Sequence, residues 1–202
     1  VGCAQRTDKI SKFIRQIQMS QYIRSHTKGA TYFFTLVSYN RRRIFCEDDF
    51  LQTFKKSIKQ VQQQYPFEII AWVQLPDHIH CIWRMPTNDA NYSMRWSQIK
   101  RLTTQACPQY HLPIDDLSRS KVKRNERGIW QRRFYEHQIK DEIDFIRHMD
   151  YLHFNPVKHG LVGKVSEWPY SSFHRYVKQG VYLVDWGNND LEFSFSFVDR
   201  LE

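Results

Sequence analysis

The sequence is sparing in several residue types, and each shortage narrows what the chain can be. Only four of its 202 residues are cysteine (Cys3, Cys46, Cys81 and Cys107), and no two form a CxxC pair. That spacing excludes a dense disulfide framework, so reduced thiols in a cytosolic protein are expected. Seven glycines and seven prolines are too few for a linker-dominated chain. No stretch approaches the ~20 apolar residues of a membrane span, and the charged N-terminus lacks the apolar segment of a signal peptide. Acidic residues are also in the minority, 21 against 30 Lys+Arg, for a formal charge of +9. An excess of cation points to a polyanionic partner, nucleic acid first, with a merely soluble basic protein as the plainer reading. The 41% of hydrophobic residues suits one folded domain.

The elements follow from periodicity. "ATYFFTLVSY" (30–39) is dense in β-branched and aromatic residues and predicts a first strand. Phe50, Leu51, Phe54, Ile58 and Val61 recur at helical spacing behind the acids Glu47, Asp48 and Asp49, which suit a helix N-terminus. "YPFEIIAWVQL" (65–75) and "HIHCIWRM" (78–85) predict a strand pair joined by a short Pro76–Asp77 step, and 92–106 a helix. Residues 108–128 lack periodicity and are expected to be a long mobile connection. "WQRRFYEHQI" (130–139) predicts a fourth strand, and 141–155 an amphipathic helix stopped by Pro156. The order β-α-β-β-α-β-α resembles a ferredoxin-like split βαβ arrangement. The expected class is therefore α+β: an antiparallel sheet with helices on one face and an irregular C-terminal tail. Domain limits are expected at 1–18 for an extension, 19–160 for the domain that carries these elements and 161–202 for a tail wrapped on it. Charge is uneven, with seven cations against one acid from Arg119 to Arg133, and five acids against one arginine from Val181 to Glu202. The acidic end either folds back on a basic groove or is a solvated tail.

Two histidines stand one residue apart in the third strand, His78 and His80. Residues i and i+2 of a strand project to one side, so both rings face one spot while Ile79, Cys81 and Trp83 face the other. Convergent imidazoles are either two metal ligands or a pair that repels when both are protonated. An isolated HxH is more often two buried rings bonded to backbone. The second stretch, "HMDYLHFNPVKHG", sets Tyr151 and Asn155 four apart, which puts them about 6 Å apart on one helix face. Asn155 offers a hard amide oxygen; Tyr151 offers a phenol, a poor nucleophile at its free pKa near ~10. Beside a cation that stabilises the developing charge, a phenol can attack phosphorus and form a covalent link. One by one, Tyr151 reads equally as a half-buried helix tyrosine and Asn155 as a helix-terminating residue.

At these residues the chain resembles the HUH single-tyrosine transposases, and within them the branch associated with bacterial repetitive extragenic palindromes (REP). The resemblance rests on "GATYFFT", "FEIIAWVQLPDHIHCIW", "IWQRRFYEHQI" and "DYLHFNPVKHGLV" followed by "WPYSSFHR", in that order from about Met19 to Trp186. It implies a ferredoxin-like domain whose central sheet carries the histidine pair. It also implies that His78, His80 and Asn155 are ligands of a divalent metal, Mg²⁺ with Mn²⁺ as a substitute. Tyr151 would attack single-stranded DNA folded as a palindromic hairpin, leaving a 5′-phosphotyrosine and a free 3′-OH. Residues 1–18 have no counterpart in that pattern, and the connection at 108–128 is longer than the pattern leads one to expect. Imidazole suits Mn²⁺, Co²⁺ or Zn²⁺ better than Mg²⁺, so the donor set and the family expectation pull apart. Asp77 either orients a histidine or is a turn residue after Pro76.

Arg41, Arg42, Arg43, Lys100, Arg101, Arg132, Arg133, Lys158 and His159 sit in basic clusters at loops or element ends and are candidate phosphate contacts. Trp130 or Tyr135 is a candidate to stack an unpaired base, with core packing the alternative for each. The expected partner is hairpin DNA, with no membrane and no nucleotide cofactor. The expected state is a monomer in the cytoplasm, associated with the nucleoid. Two rivals remain: a catalytically idle hairpin-binding regulator, and an RNA-binding protein on an RRM-like sheet, which would need exposed aromatics on its central strands.

Overall fold

The computed structural model of the chain describes residues 27–187. The expected extension 1–18 and the end of the acidic tail, 188–202, lie outside the described residues. Strand β1 (Thr31–Val37) is followed by a 3₁₀ turn (Tyr39–Arg41) and helix α1 (Asp48–Gln64). Then come β2 (Glu68–Gln74), β3 (His78–Arg84) and helix α2 (Tyr92–Ala106). A short α3 (Arg119–Lys123) precedes β4 (Tyr135–Gln138), the long helix α4 (Glu142–Lys158) and a last short helix α5 (Phe173–Lys178). The four strands form one sheet in the order β2-β3-β1-β4, antiparallel throughout. The α+β split arrangement read from the sequence is the one present.

Alternation along the central strands builds two cores, one on each face. Tyr32, Phe34 and Leu36 of β1 and Ile79, Cys81 and Trp83 of β3 pack under α1 and α2. The Trp83 and Trp96 rings stack there at 3.9 Å. Phe33, Ala71, Val73 and Ile82 face the other way, against Met149, Tyr151 and Leu152 of α4. The one-face arrangement thus holds for α1 and α2, while the third long helix covers the opposite face. That helix has apolar residues on a stripe that must be buried somewhere, and the second sheet face is where they go.

Two local expectations change. Pro156 does not stop its helix: α4 runs on to Lys158, and the His159 N–H donates to the Asn155 carbonyl at 3.0 Å. Proline removes one i→i−4 bond, and so near the C-terminus that single loss leaves the last turn intact. The 108–128 connection is pinned rather than loose. It contains two 3₁₀ turns and α3, with Lys121 buried, bonded to Glu126 at 2.7 Å and lying over the Tyr39 ring at 4.2 Å. The Arg42 guanidinium ties its two ends, donating to the carbonyls of Tyr110 and Gly128, each at 2.8 Å. Polar anchoring of this kind leaves no apolar period in the sequence. Downstream of α4, Ser171 bridges to Val73, and the backbones of Trp72 and Gln74 exchange bonds with Ser172 and Tyr170.

Candidate active site

The register of β3 against β1 sets His80 opposite Thr35 and His78 opposite Val37. Both histidines project to the α4 face and are buried. Tyr151 and Asn155, one turn apart on α4, are buried against the same patch of sheet. The apolar neighbours Met149 and Leu152 press the helix onto the strands, so hydrophobic packing fixes where the polar groups meet.

Each imidazole is held from behind. The His78 Nδ1–H donates to the Asp77 carboxylate at 2.8 Å, and the His80 Nδ1 lies 2.9 Å from the Thr35 hydroxyl. A ring held at Nδ1 presents Nε2 as its ligating nitrogen. His78 Nε2 lies 3.2 Å from Asn155 Oδ1. In the tautomer that carries its proton on Nδ1, that nitrogen would turn a lone pair toward the amide oxygen, an arrangement a cation between them would stabilise. The separation also matches the ~3 Å edge between adjacent ligands of an octahedral ion with bonds of about 2.1 Å. His78, His80 and Asn155 therefore fit a divalent cation, with their nitrogen content favouring Mn²⁺. Asp77 is tied in turn to Arg41 at 3.2 Å. Burial works against ionisation of Asp77, but the His78 ring and the Arg41 guanidinium together hold its carboxyl below the usual range. Asp77 fits both readings: it lies in the bend after Pro76, and its carboxylate holds the His78 ring.

The Tyr151 ring lies 5.2 Å from His80, centroid to centroid, and the Lys158 ammonium sits 5.1 Å over its face. His159 packs on His78 at 4.9 Å. So four ligand or nucleophile candidates from two distant segments converge, and the exposed end of α4 adds two basic groups at their rim.

The remaining candidates divide. Arg41 and Arg133 line a cleft of about 640 Å³ with Thr35 and Tyr135, next to the histidines through the Thr35–His80 bond. Arg43, Arg132 and Arg133 are exposed. Lys100, Arg101 and Arg132 line a second cleft of about 790 Å³, to which Arg124 and Arg127 add charge that the sequence reading passed over. Two candidates are used internally. Arg42 is the clamp described above, with burial lowering its pKa. Trp130 is buried among Phe45, Phe50 and Phe54, with its Nε1–H on the Thr104 hydroxyl at 3.1 Å, so core packing is the alternative realised for it. Thr35 was missed altogether, and its only signal is strand register. An open RRM-type face is absent among the described residues, since helices cover both sides of the central strands.

Residues 26–154 match the family described as transposase, IS200 like. The match takes in His78, His80 and Tyr151 and ends one residue before Asn155. The chain is 42% identical over 176 residues to the REP-associated tyrosine transposase of Escherichia coli K12, covering 87% of this chain and 96% of that protein. A Haemophilus influenzae Rd protein provisionally given the same designation is 45% identical over 171 residues, 85% of this chain and 95% of that one. Among solved structures, that of a REP-associated tyrosine transposase bound to a REP hairpin has a TM-score of 0.71 at 41% identity, covering 87% of this chain and 96% of the other. No helix among the described residues is long and apolar enough to cross a membrane. On this coverage the chain belongs to the IS200-like transposase family, in its REP-associated tyrosine branch.

Proposed function

We propose that the chain is a metal-dependent, sequence-specific endonuclease and strand transferase acting on single-stranded DNA folded as palindromic hairpins. One observation carries the reading: the two histidines of β3 and the Tyr151–Asn155 pair of α4 meet on one buried sheet face, with His78 Nε2 and Asn155 Oδ1 3.2 Å apart. The hairpin in the solved relative supports the substrate.

His78, His80 and Asn155 would hold the cation, which when bound polarises the scissile phosphate and stabilises the charge that builds on it. Asp77 and Thr35 keep the two rings in the tautomer that presents Nε2. Tyr151 Oη attacks phosphorus as its proton passes to solvent. The P–O3′ bond breaks, the released oxygen takes up a proton as a 3′-OH, and a 5′-phosphotyrosine remains, a diester that a second 3′-OH can attack to rejoin strands. Lys158 and His159, at the rim, and Arg41 and Arg133, in the adjoining cleft, are placed to receive phosphates of the flanking strand. Tyr151 is buried with the ligands of its own chain, which supports a site completed within a monomer.

The test is incubation with hairpin DNA and Mn²⁺, followed by a denaturing gel. A protein–DNA conjugate is expected, and Tyr151→Phe should lose it while binding the hairpin nearly as well. Conjugate formation by Tyr151→Phe would remove Tyr151 as nucleophile. Tight binding with no conjugate under Mn²⁺, or under Mg²⁺ in a parallel incubation, would favour the idle regulator.

A further inference from the structure

The same sheet face carries a second convergence of ligand-type side chains. His137 of β4 and Asp144 and His148 of α4 each place a donor atom within 4.8 Å of the other two, the sole such trio of His, Cys, Asp or Glu among the described residues. Asp144 and His148 are one helical turn apart, and β4 lies beside them because His137 pairs with Phe33 of β1. His137 Nε2 is 2.8 Å from Asp144 Oδ2, and His148 Nδ1 is 3.1 Å from Asp144 Oδ1. The two rings lie parallel, 14° apart, with centroids 4.5 Å from each other.

We propose that His137, Asp144 and His148 form a second divalent-cation site, matched by Zn²⁺ and separate from the one at His78, His80 and Asn155. Two imidazoles and one carboxylate make a borderline-soft donor set that suits Zn²⁺ and leaves a position for water. The 2.8 and 3.1 Å separations, one to each oxygen of Asp144, are hydrogen-bond lengths, and an ion with bonds of about 2.0–2.1 Å would spread them by a few tenths of an ångström toward the ~3.3 Å tetrahedral edge. Asp144 supplies the carboxylate: burial raises its pKa, but the His137 bond, the Lys140 N–H and the two neighbouring imidazoles bring it below the usual range. Burial lowers the His148 pKa. The ion displaces the N–H of His137 Nε2 and of His148 Nδ1, and each proton reappears on the other nitrogen of its ring by exchange with water. His148 also gives up its bond to the Asp144 carbonyl, 2.8 Å away. The His137 side chain is 25% exposed, so an ion has a way in.

The Phe33 ring stands between the two sites, 4.8 Å from His148 and 5.4 Å from His80. The second ion therefore takes no part in cleavage. It ties β4 to the turn of α4 just ahead of Tyr151, a cross-link between the sheet and the nucleophile's helix.

The experiment measures bound metal in the full chain after chelator stripping, reloading with ZnCl₂ and desalting. It is run on wild type, His78→Ala, His137→Ala and Asp144→Asn, the last keeping the shape of the carboxylate. Two equivalents are expected for wild type and one for each variant. Zinc should raise the thermal midpoint of wild type and His78→Ala more than that of His137→Ala or Asp144→Asn. One equivalent in wild type, unchanged in His137→Ala and Asp144→Asn and lost in His78→Ala, would overturn the second site and leave the first standing. One equivalent lost in His137→Ala and Asp144→Asn but kept in His78→Ala would uphold the second site and count against the first.

Discussion

Replacing Asp77 with alanine removes the group that holds His78 from behind without touching a proposed ligand. The loss is a charge-assisted hydrogen bond of 2.8 Å to Nδ1, after which the ring can rotate or present the wrong nitrogen. Removing such a partner typically weakens metal binding or activity by roughly 10- to 100-fold, about 1.4–2.7 kcal/mol. Arg41 supplies the comparison. Its guanidinium is 45% exposed and its contact with Asp77 is a single 3.2 Å pair, so Arg41→Ala should shift Mn²⁺ half-saturation by less than about fivefold, under about 1 kcal/mol, whatever it costs in DNA affinity as a phosphate contact. Asp77→Asn keeps an acceptor but no charge and should fall between. The assay is conjugate yield on hairpin DNA as a function of Mn²⁺ concentration, with thermal midpoints to verify folding. Asp77→Ala should shift half-saturation upward and be partly rescued by excess Mn²⁺. The sign with pH follows from the depressed carboxyl pKa: the support is present above the unfolded value near ~4 and is lost as pH falls through the lower folded one. An unchanged Mn²⁺ response in Asp77→Ala, or an equal shift of Mn²⁺ half-saturation in Arg41→Ala, would refute the reasoning.

Trp83→Ala should destabilise the fold by about 3–5 kcal/mol, because the indole is buried against Trp96 and Phe67; denaturant melts with no shift in midpoint would contradict the packing account. His153 is buried, and burial first, then Arg175 and His174, push its pKa down to about 3. The unfolded state therefore binds more protons below its ordinary ~6.5, and stability should fall on acidification from there at up to about 1.4 kcal/mol per pH unit. Urea melts should show that slope in wild type and a flatter one in His153→Gln. Removing the cations of Lys100 and Arg132 together should lessen the dependence of hairpin affinity on salt by roughly one to two units of log–log slope if both meet phosphates; an unaltered slope assigns the DNA elsewhere.

What the sequence disclosed and what it concealed follow from the range of the interactions concerned. His78 and His80 share a face because a strand repeats every second residue, and Tyr151 and Asn155 share one because a helix repeats every 3.6; both facts are local. That the two faces meet depends on Met149 and Leu152 packing onto Phe33 and Ile82, which no single segment records. Thr35 is 45 residues from the ring it holds, and Gly128 is 86 from the guanidinium it receives, so neither leaves a trace in spacing. Trp130 shows the converse: an aromatic beside arginines looks like a stacking platform until Phe45, Phe50 and Phe54 close around it.

The backbone bonds that residues 170–172 make with Trp72 and Gln74 bear on how the protein behaves in company. A sheet ends in rows of amides and carbonyls ready to template another chain, and here the outer side of β2 is already occupied by the polypeptide's own return. The opposite margin, β4, is only four residues long, too brief to seed extended pairing. Crowding such molecules together on repeated DNA sites should thus leave them as separate particles, whereas trimming the segment beyond α4 would turn the β2 margin into a place where copies adhere.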